Sequence, residues 1–478
     1  MPSIIDNQIA ATGIAQVIVV LKSPPPPSAK AATGAAAGAM ALTAAATTTP
    51  GLAGLDSYFV QSESSQNFAL AVAGMSTVAA LTAAPAASTR RVKTPPAVLH
   101  FPNLGVLLGT VTREGLGGLR ADERVQAVIG ASQPSLIRPV TKAAAKLSTQ
   151  LTWGIQFLEV PRLWNQGLTG KGVRVGHLDT GADGKHPALK KAIAAFAEFD
   201  PLGFQVTPIP KPHDTDEHGT HTAATIAGRP VQGRSVGMAP KAELASAIVI
   251  EGGNIVARIL GGMDWAITQK VRVLSMSLGL RGFFDDFLVV TQVLRARNIL
   301  PVFAVGNEGP GTSRSPGNYA EALSVGANDN GGAVASFSSS QRFTRTQDPL
   351  VPDLVGPGVD VISAKPGGSF QLMSGTSMAT PHLAGLAALL FEAKPEATPN
   401  DVEAAIFKSC TLGTISPDRG NRGFPNAVLA FSALTGLALG SSKKSPTKSA
   451  AKGSKKAASS SKKSSKRSRK ESAKSRKK

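Results

Sequence analysis

Cysteine is almost missing from this chain. Cys410 is the single one among 478 residues, so no intrachain disulfide can form and packing must hold the fold. That suits a reducing compartment, and equally a large secreted protein without disulfides. Apolar runs are short as well: none reaches the roughly 18 residues of a membrane span. The nearest approach, 427–440, is broken by Ser, Thr and Gly and suits a packed helix better. The N-terminus, MPSIIDNQIAATGIAQVIVVLK, has no basic n-region and no apolar block of about 7–15 residues before a small-residue cleavage site. No secretory signal is expected from it, which leaves the cytoplasm or export by a non-standard route. Charged residues are scarce at 17%, whereas the apolar share, 42%, is that of an ordinary globular protein. With one domain commonly taking roughly 100–200 residues, two or three fit in this length.

The net charge of +20 suggests nucleic acid until it is located. Residues 441–478 hold sixteen Lys and Arg against the single acid Glu471, so +15 of the +20 lies in a tail. The body of the chain is close to neutral. The tail has no aromatic residue and nothing that could bury area, so it is expected to be disordered. Its Lys/Ser/Ala/Pro composition resembles linker-histone tails, which implies salt-sensitive contact with a polyanion or nucleic acid. A merely solubilising end remains the alternative.

The rest divides by pattern. Residues 14–22 read as one buried strand. The segment 24–96 is a low-complexity insertion rich in Ala, Thr, Gly and Pro that is not expected to pack by itself. Between 97 and 140, AVLHFPNLGVLLGTVT and RVQAVIGA flank the helix-compatible EGLGGLRADE, forming with strand 14–22 a small α+β unit over 1–145. From 146 to 440, continuous apolar runs (VRVGHLD, ELASAIVI, VRVLSMSL, ILPVFAVG, ALSVGA, VDVISA) alternate with helical stretches such as NIVARILGGMDWAITQK. Such runs indicate a mostly parallel sheet covered by helices on both faces, a three-layer α/β domain. Sites in these sheets gather at the carboxyl ends of strands.

Asp179 ends the run VRVGHLDTGAD and should therefore sit at such a strand end. A turn-capping role is the plain alternative; an aspartic protease would need a second DTG triplet, and there is none. HGTHTAATIAG begins at His218 and places His221 three residues on. The pair would suit metal ligation, or a catalytic base beside a structural histidine. The Glu of H-E-x-x-H is missing, and His221 is better read as structural. Gly219 and the small residues after it would let this helix approach the sheet closely. In SGTSMATPH, Ser377 lies where a turn enters a helix, with Pro381 in its first turn. Free backbone N–H groups and the positive dipole end there suit a nucleophile whose reaction creates an oxyanion, although a lone Ser at that place is more often an N-cap. Asn307, in FAVGNEGPG, is either a turn residue or a donor aimed at the same oxyanion.

Taken together, in the order Asp, His, Asn, Ser, these motifs resemble the subtilisin-like serine proteases. The resemblance runs from about 153 to 435 and includes WNQGLTGKGVRVGHLDTG, GMAP, SMSLG and ASFSS. The order differs from the trypsin-like and the α/β-hydrolase triads. The resemblance implies a serine endopeptidase acting on protein or peptide substrates, with Ser377 as nucleophile, His218 as base and Asp179 orienting it. Asn307 would hold the oxyanion beside the Ser377 N–H. Ser277, Leu278 and Gly279, and Ala304, Val305 and Gly306, would be cleft walls, an extended substrate pairing with 277–279 as an added strand. No cofactor is needed for this chemistry. Structural calcium is common in the family, but His186 and Pro187 are followed by Ala188 where many relatives have an acid, so no metal ligand is assigned. HGTHTAA replaces the usual HGTHVAG. By the same resemblance 1–145 is expected to be a propeptide, removed between about Thr141 and Thr152 so that the enzyme is made as an autoprocessed zymogen. A permanent domain is the rival reading. A dead protease fold serving as a polyanion-binding scaffold is opposed by the four intact motifs.

Overall fold

The computed structural model describes residues 4–22, 52–60, 98–250 and 252–439. Most of the insertion 24–96 and the whole tail 441–478 lie outside the described residues.

The chain opens with α1 (Ile4–Thr12) and β1 (Ile14–Leu21), and continues through β2 (Val98–Phe101), β3 (Val106–Thr112), α2 (Arg113–Ala121) and β4 (Val125–Gly130). The four strands form an antiparallel sheet in the order β2-β3-β1-β4. β1 is apolar on successive residues from Val17 to Leu21 because both faces of this sheet are covered. Val17, Val19 and Leu21 pack with Leu116 and Leu119 of α2, while Ile18 and Val20 join the core of the larger domain. From the low-complexity insertion, 52–60 belongs to this unit. Leu52, Leu55 and Phe59 are buried in the same cluster as α2, and Phe59 bridges to Val111.

After β4 the chain runs extended through β5 (Ser135–Leu136) and β6 (Thr141–Ala145). The large domain follows: β7 (Arg174–Asp179), β8 (Ile193–Glu198), α3 (His218–Ala227), β9 (Glu243–Ile248), α4 (Ile255–Thr268), β10 (Val273–Met276), β11 (Leu278–Arg281), α5 (Leu288–Ala296), β12 (Leu300–Ala304), β13 (Leu323–Asn328), β14 (Leu354–Pro357), β15 (Val361–Lys365), β16 (Ser369–Ser374) and α6 (Thr376–Ala393). Seven of these strands make one sheet in the order β14-β13-β12-β10-β7-β9-β8, every neighbouring pair parallel.

Alternate residues along each strand serve opposite faces. Val273 and Val302 pack under α3 and α6, whereas Leu274 and Phe303 pack under α4 and α5. The domain is thus a three-layer α/β structure with a mostly parallel sheet, and its double covering explains the unbroken apolar runs. The N-terminal sheet lies against the α4 and α5 side, where Ile18, Phe101 and Leu108 share a cluster with Ile259, Met263 and Leu294. Asp264 of α4 holds the joint: its carboxylate accepts the Asn103 N–H at 2.7 Å, the Asn103 side-chain amide at 3.0 Å and the Leu104 N–H at 3.2 Å. Among the described residues no helix is long and apolar enough to cross a membrane.

Candidate active site

β7 delivers Asp179 at its carboxyl end, and α3 begins with His218 beside it; both side chains are buried. His218 Nδ1 meets Asp179 Oδ1 at 2.7 Å, and the same oxygen accepts the Thr180 N–H at 2.7 Å. Burial works to raise the Asp179 carboxyl. The neighbouring His218, with its hydrogen bond, outweighs this and holds the group below its ordinary range. The approach of α3 depends on Gly219, since a methyl group there would fall 2.1 Å from the Gly181 carbonyl oxygen. His221 points elsewhere: its Nε2 meets the Val361 carbonyl at 2.9 Å, and burial lowers its pKa to about 3. Among the described residues no group of three or more His, Cys, Asp and Glu could hold a metal ion.

Ser377 is the second residue of α6 and fully buried. Pro381, expected in the first turn, sits as the sixth helical residue, inside the helix. Its missing N–H frees the carbonyl of Ser377, which accepts instead the Ser277 hydroxyl at 3.3 Å. Asn307 follows β12 after Gly306, whose φ of 122° lies in a region that favours glycine. The Asn307 Oδ1 accepts the Thr376 N–H and hydroxyl, both at 2.9 Å, so its Nδ2 is turned into the cleft.

What fills the cleft is the chain's own segment 135–145. β5 pairs antiparallel with β11, Leu136 opposite Leu278 and Ser135 opposite Gly279, and the Ile137 N–H donates to the Ser277 carbonyl at 3.0 Å. An extended peptide thus lies on residues 277–279 as an added strand. Ser377 Oγ donates to the carbonyl oxygen of Ile137 at 2.6 Å, and Asn307 Nδ2 donates to the next carbonyl, that of Arg138, at 3.0 Å. Pro139 comes next, and β6 leaves along β16 on the far side, Thr141 opposite Ser374. The expected cleavage window therefore begins in β6, and the carbonyl facing Ser377 lies upstream of it, at Ile137. Nε2 of His218 is buried with no hydrogen-bond partner among the described residues. The Asp–His bond is made, while the serine hydroxyl is turned to the threaded segment. A cavity of about 300 Å³ opens beside this segment, between Gln133, Ser135, Arg138, Ile250 and Ile255, rather than over Ser377.

Sequence reasoning missed the acidic groups around His218. Asp214 accepts the Thr180 hydroxyl at 2.7 Å and the Thr220 N–H at 2.6 Å, tying the loop after Asp179 to the first turn of α3. Burial pushes its carboxyl up to about 6. Asp216 pairs with Arg138 of the threaded segment at 3.0 Å, and Glu217 with Lys142 at 3.0 Å. The spacing DTDEHG before the histidine is the one local signal that could have drawn attention to them.

The profile of the Subtilase family matches residues 170–446. A thermostable alkaline protease of Halalkalibacterium halodurans is 33% identical over 67% of this chain and 82% of its own length. The major intracellular serine protease of Bacillus subtilis is 32% identical over 63% of this chain and 95% of its own. Subtilisin Savinase of Lederbergia lenta is 38% identical over 51% and 85%. By name these relatives are an alkaline protease, an intracellular serine protease and a subtilisin. The chain belongs to the subtilase family and is a serine-type endopeptidase.

Proposed function

We propose that Asp179, His218 and Ser377 form the catalytic triad, with Asn307 as oxyanion donor, in an enzyme made as a latent zymogen. The observation that carries this reading is the extended segment lying on residues 277–279 with a peptide carbonyl at the Ser377 hydroxyl. When a substrate takes that place, Ser377 Oγ attacks the carbonyl carbon while its proton passes to His218 Nε2. The negative oxygen is held by Asn307 Nδ2 and the Ser377 N–H at the start of α6. Collapse breaks the C–N bond, and Nε2 returns the proton to the leaving amine. Water, deprotonated by the same nitrogen, then releases the acyl group. Asp179 keeps the imidazole oriented and stabilises its charged form throughout.

The bound segment sits one carbonyl out of step for this chemistry. The Ile137 carbonyl meets the nucleophile, but the donor that should hold its oxyanion is occupied by Arg138. An occupied cleft without a Ser377–His218 bond favours latency, with residues 1–145 as the blocking propeptide and the first cut at or beyond Ile137. The deciding experiment compares hydrolysis of a peptide substrate by the wild type and Ser377→Ala after removal of the N-terminal unit. Equal rates would sink the triad assignment.

A further inference from the structure

A second buried histidine lies directly beneath the Asp179–His218 pair. His177 precedes Asp179 by two residues on β7, so both side chains leave the same face of the strand. Thr222 follows His218 by four residues on α3, so both lie on the same face of the helix. Ser246, opposite His177 in the neighbouring strand β9, completes the row. The distances form a chain: Ser246 Oγ to His177 Nδ1, 2.9 Å; His177 Nε2 to Thr222 Oγ1, 2.9 Å; Thr222 Oγ1 to Asp179 Oδ2, 3.3 Å. His177, Thr222 and Ser246 are all within 1% of full burial.

We propose that His177, acting through Thr222, is a positioning residue for the carboxylate of Asp179. This rests on the triad reading given above. Asp179 Oδ1 is held by His218 and the Thr180 N–H, whereas among the described residues Oδ2 accepts only from Thr222. A neutral imidazole has a single N–H. With that proton on Nε2, the ring donates to Thr222, the Ser246 hydroxyl donates to Nδ1, and the threonine proton is free for Asp179. With it on Nδ1, Thr222 would have to donate to the ring and Oδ2 would lose its donor. A row of donors ending on a negative oxygen is favoured over one ending on a neutral serine. The competing acceptors for Thr222, the carbonyls of Gly219 at 3.1 Å and His218 at 3.2 Å, are uncharged. The ring stays neutral for a plain reason: burial lowers its pKa to about 4, Asp179 opposing and His218 adding to the effect. Threonine at 222 is also the first departure of HGTHTAA from the family's usual HGTHVAG.

Pinning Oδ2 fixes the plane of the carboxylate, and with it the direction in which His218 presents Nε2. The test is the enzyme freed of its N-terminal unit, with Thr222→Val, Thr222→Ser and His177→Leu assayed on a peptide substrate across pH. Thr222→Val keeps the shape and removes the hydroxyl. It should lower kcat about tenfold, the worth of one hydrogen bond to a charged group, with KM unchanged. Without the Thr222 donor, the Asp179 charge concentrates on the oxygen facing His218, so the acid limb of kcat/KM should move to higher pH. Thr222→Ser should restore both, and His177→Leu, which removes the donor that orients Thr222 but leaves its hydroxyl, should move both in the same direction by less and add nothing in the Thr222→Val background. An unchanged kcat and acid limb in Thr222→Val overturns the proposal. So does a loss shared equally by Thr222→Ser, or one that moves melting temperature and KM with no shift in pH. If Thr222→Val does not fold, the pH limb of His177→Leu decides alone. No Ser377-dependent hydrolysis in the wild type would instead sink the triad reading, and this inference with it.

Discussion

The hydroxyl of Ser377 donates to the carbonyl oxygen of Ile137, a residue 240 positions earlier in the chain. This contact sets the proposed nucleophile against its own N-terminal segment and leaves His218 Nε2 unpartnered among the described residues. Expressed wild type should therefore lose its N-terminus, with a new end between residues 138 and 152, whereas Ser377→Ala stays whole. Intact mass of both proteins checks this. Two full-length species would mean a permanent domain, or one whose removal needs another protease.

On the proposed oxyanion role, Asn307→Ala should leave substrate binding nearly intact and reduce turnover by about 10²–10³, the typical cost of removing one such donor. The Thr376 N–H and hydroxyl would lose their acceptor at the same time. A melting curve beside the kinetics separates that cost from the lost oxyanion contact.

Asp264 should make the joint between α4 and the N-terminal sheet sensitive to pH. Burial raises its carboxyl to about 6, only partly offset by the Asn103 and Leu104 donors. A group whose pKa is raised in the docked state holds its proton more tightly there. This contribution is thus full below about 4, falls as pH rises to about 6, and is absent above. Two units correspond to roughly 3 kcal/mol at most. Amide exchange of β1–β4 in Ser377→Ala, corrected for intrinsic rates, should show easier opening at pH 7 than at pH 4.5. Asp264→Asn should flatten that difference; a slope that survives the substitution would place its origin elsewhere.

The tail 441–478 carries sixteen of the chain's 51 Lys and Arg residues. We expect it to bind polyanions by neutralising phosphate, with affinity falling steeply as salt is added. Deleting 441–478 should abolish retention on heparin or DNA at low salt and leave peptide cleavage unchanged. Retention that persists in the truncated protein would assign binding to the body instead.

Much of this protein was legible in the order of its residues. Apolar runs such as ILPVFAVG announce buried strands because a strand covered on both faces has no polar side to show. Asp179, His218, Asn307 and Ser377 each stand at the end of such a run or the start of a helix, within motifs of about ten residues. Those features depend on near neighbours, so the sequence by itself determined the fold class and the candidate residues. Other matters depend on register between distant segments. Nothing local says that Ile137, rather than a residue of the 141–152 window, meets Ser377; the pairing of β5 with β11 and of β6 with β16 decides it. Nor could HGTHTAA reveal that Thr222 would stand between His177 and Asp179, because that needs the strand's period of two and the helix's four-residue repeat brought face to face. Only the tertiary structure decided these, since a side chain's partner across a packed interface is chosen by how whole elements stack, not by the residues on either side of it.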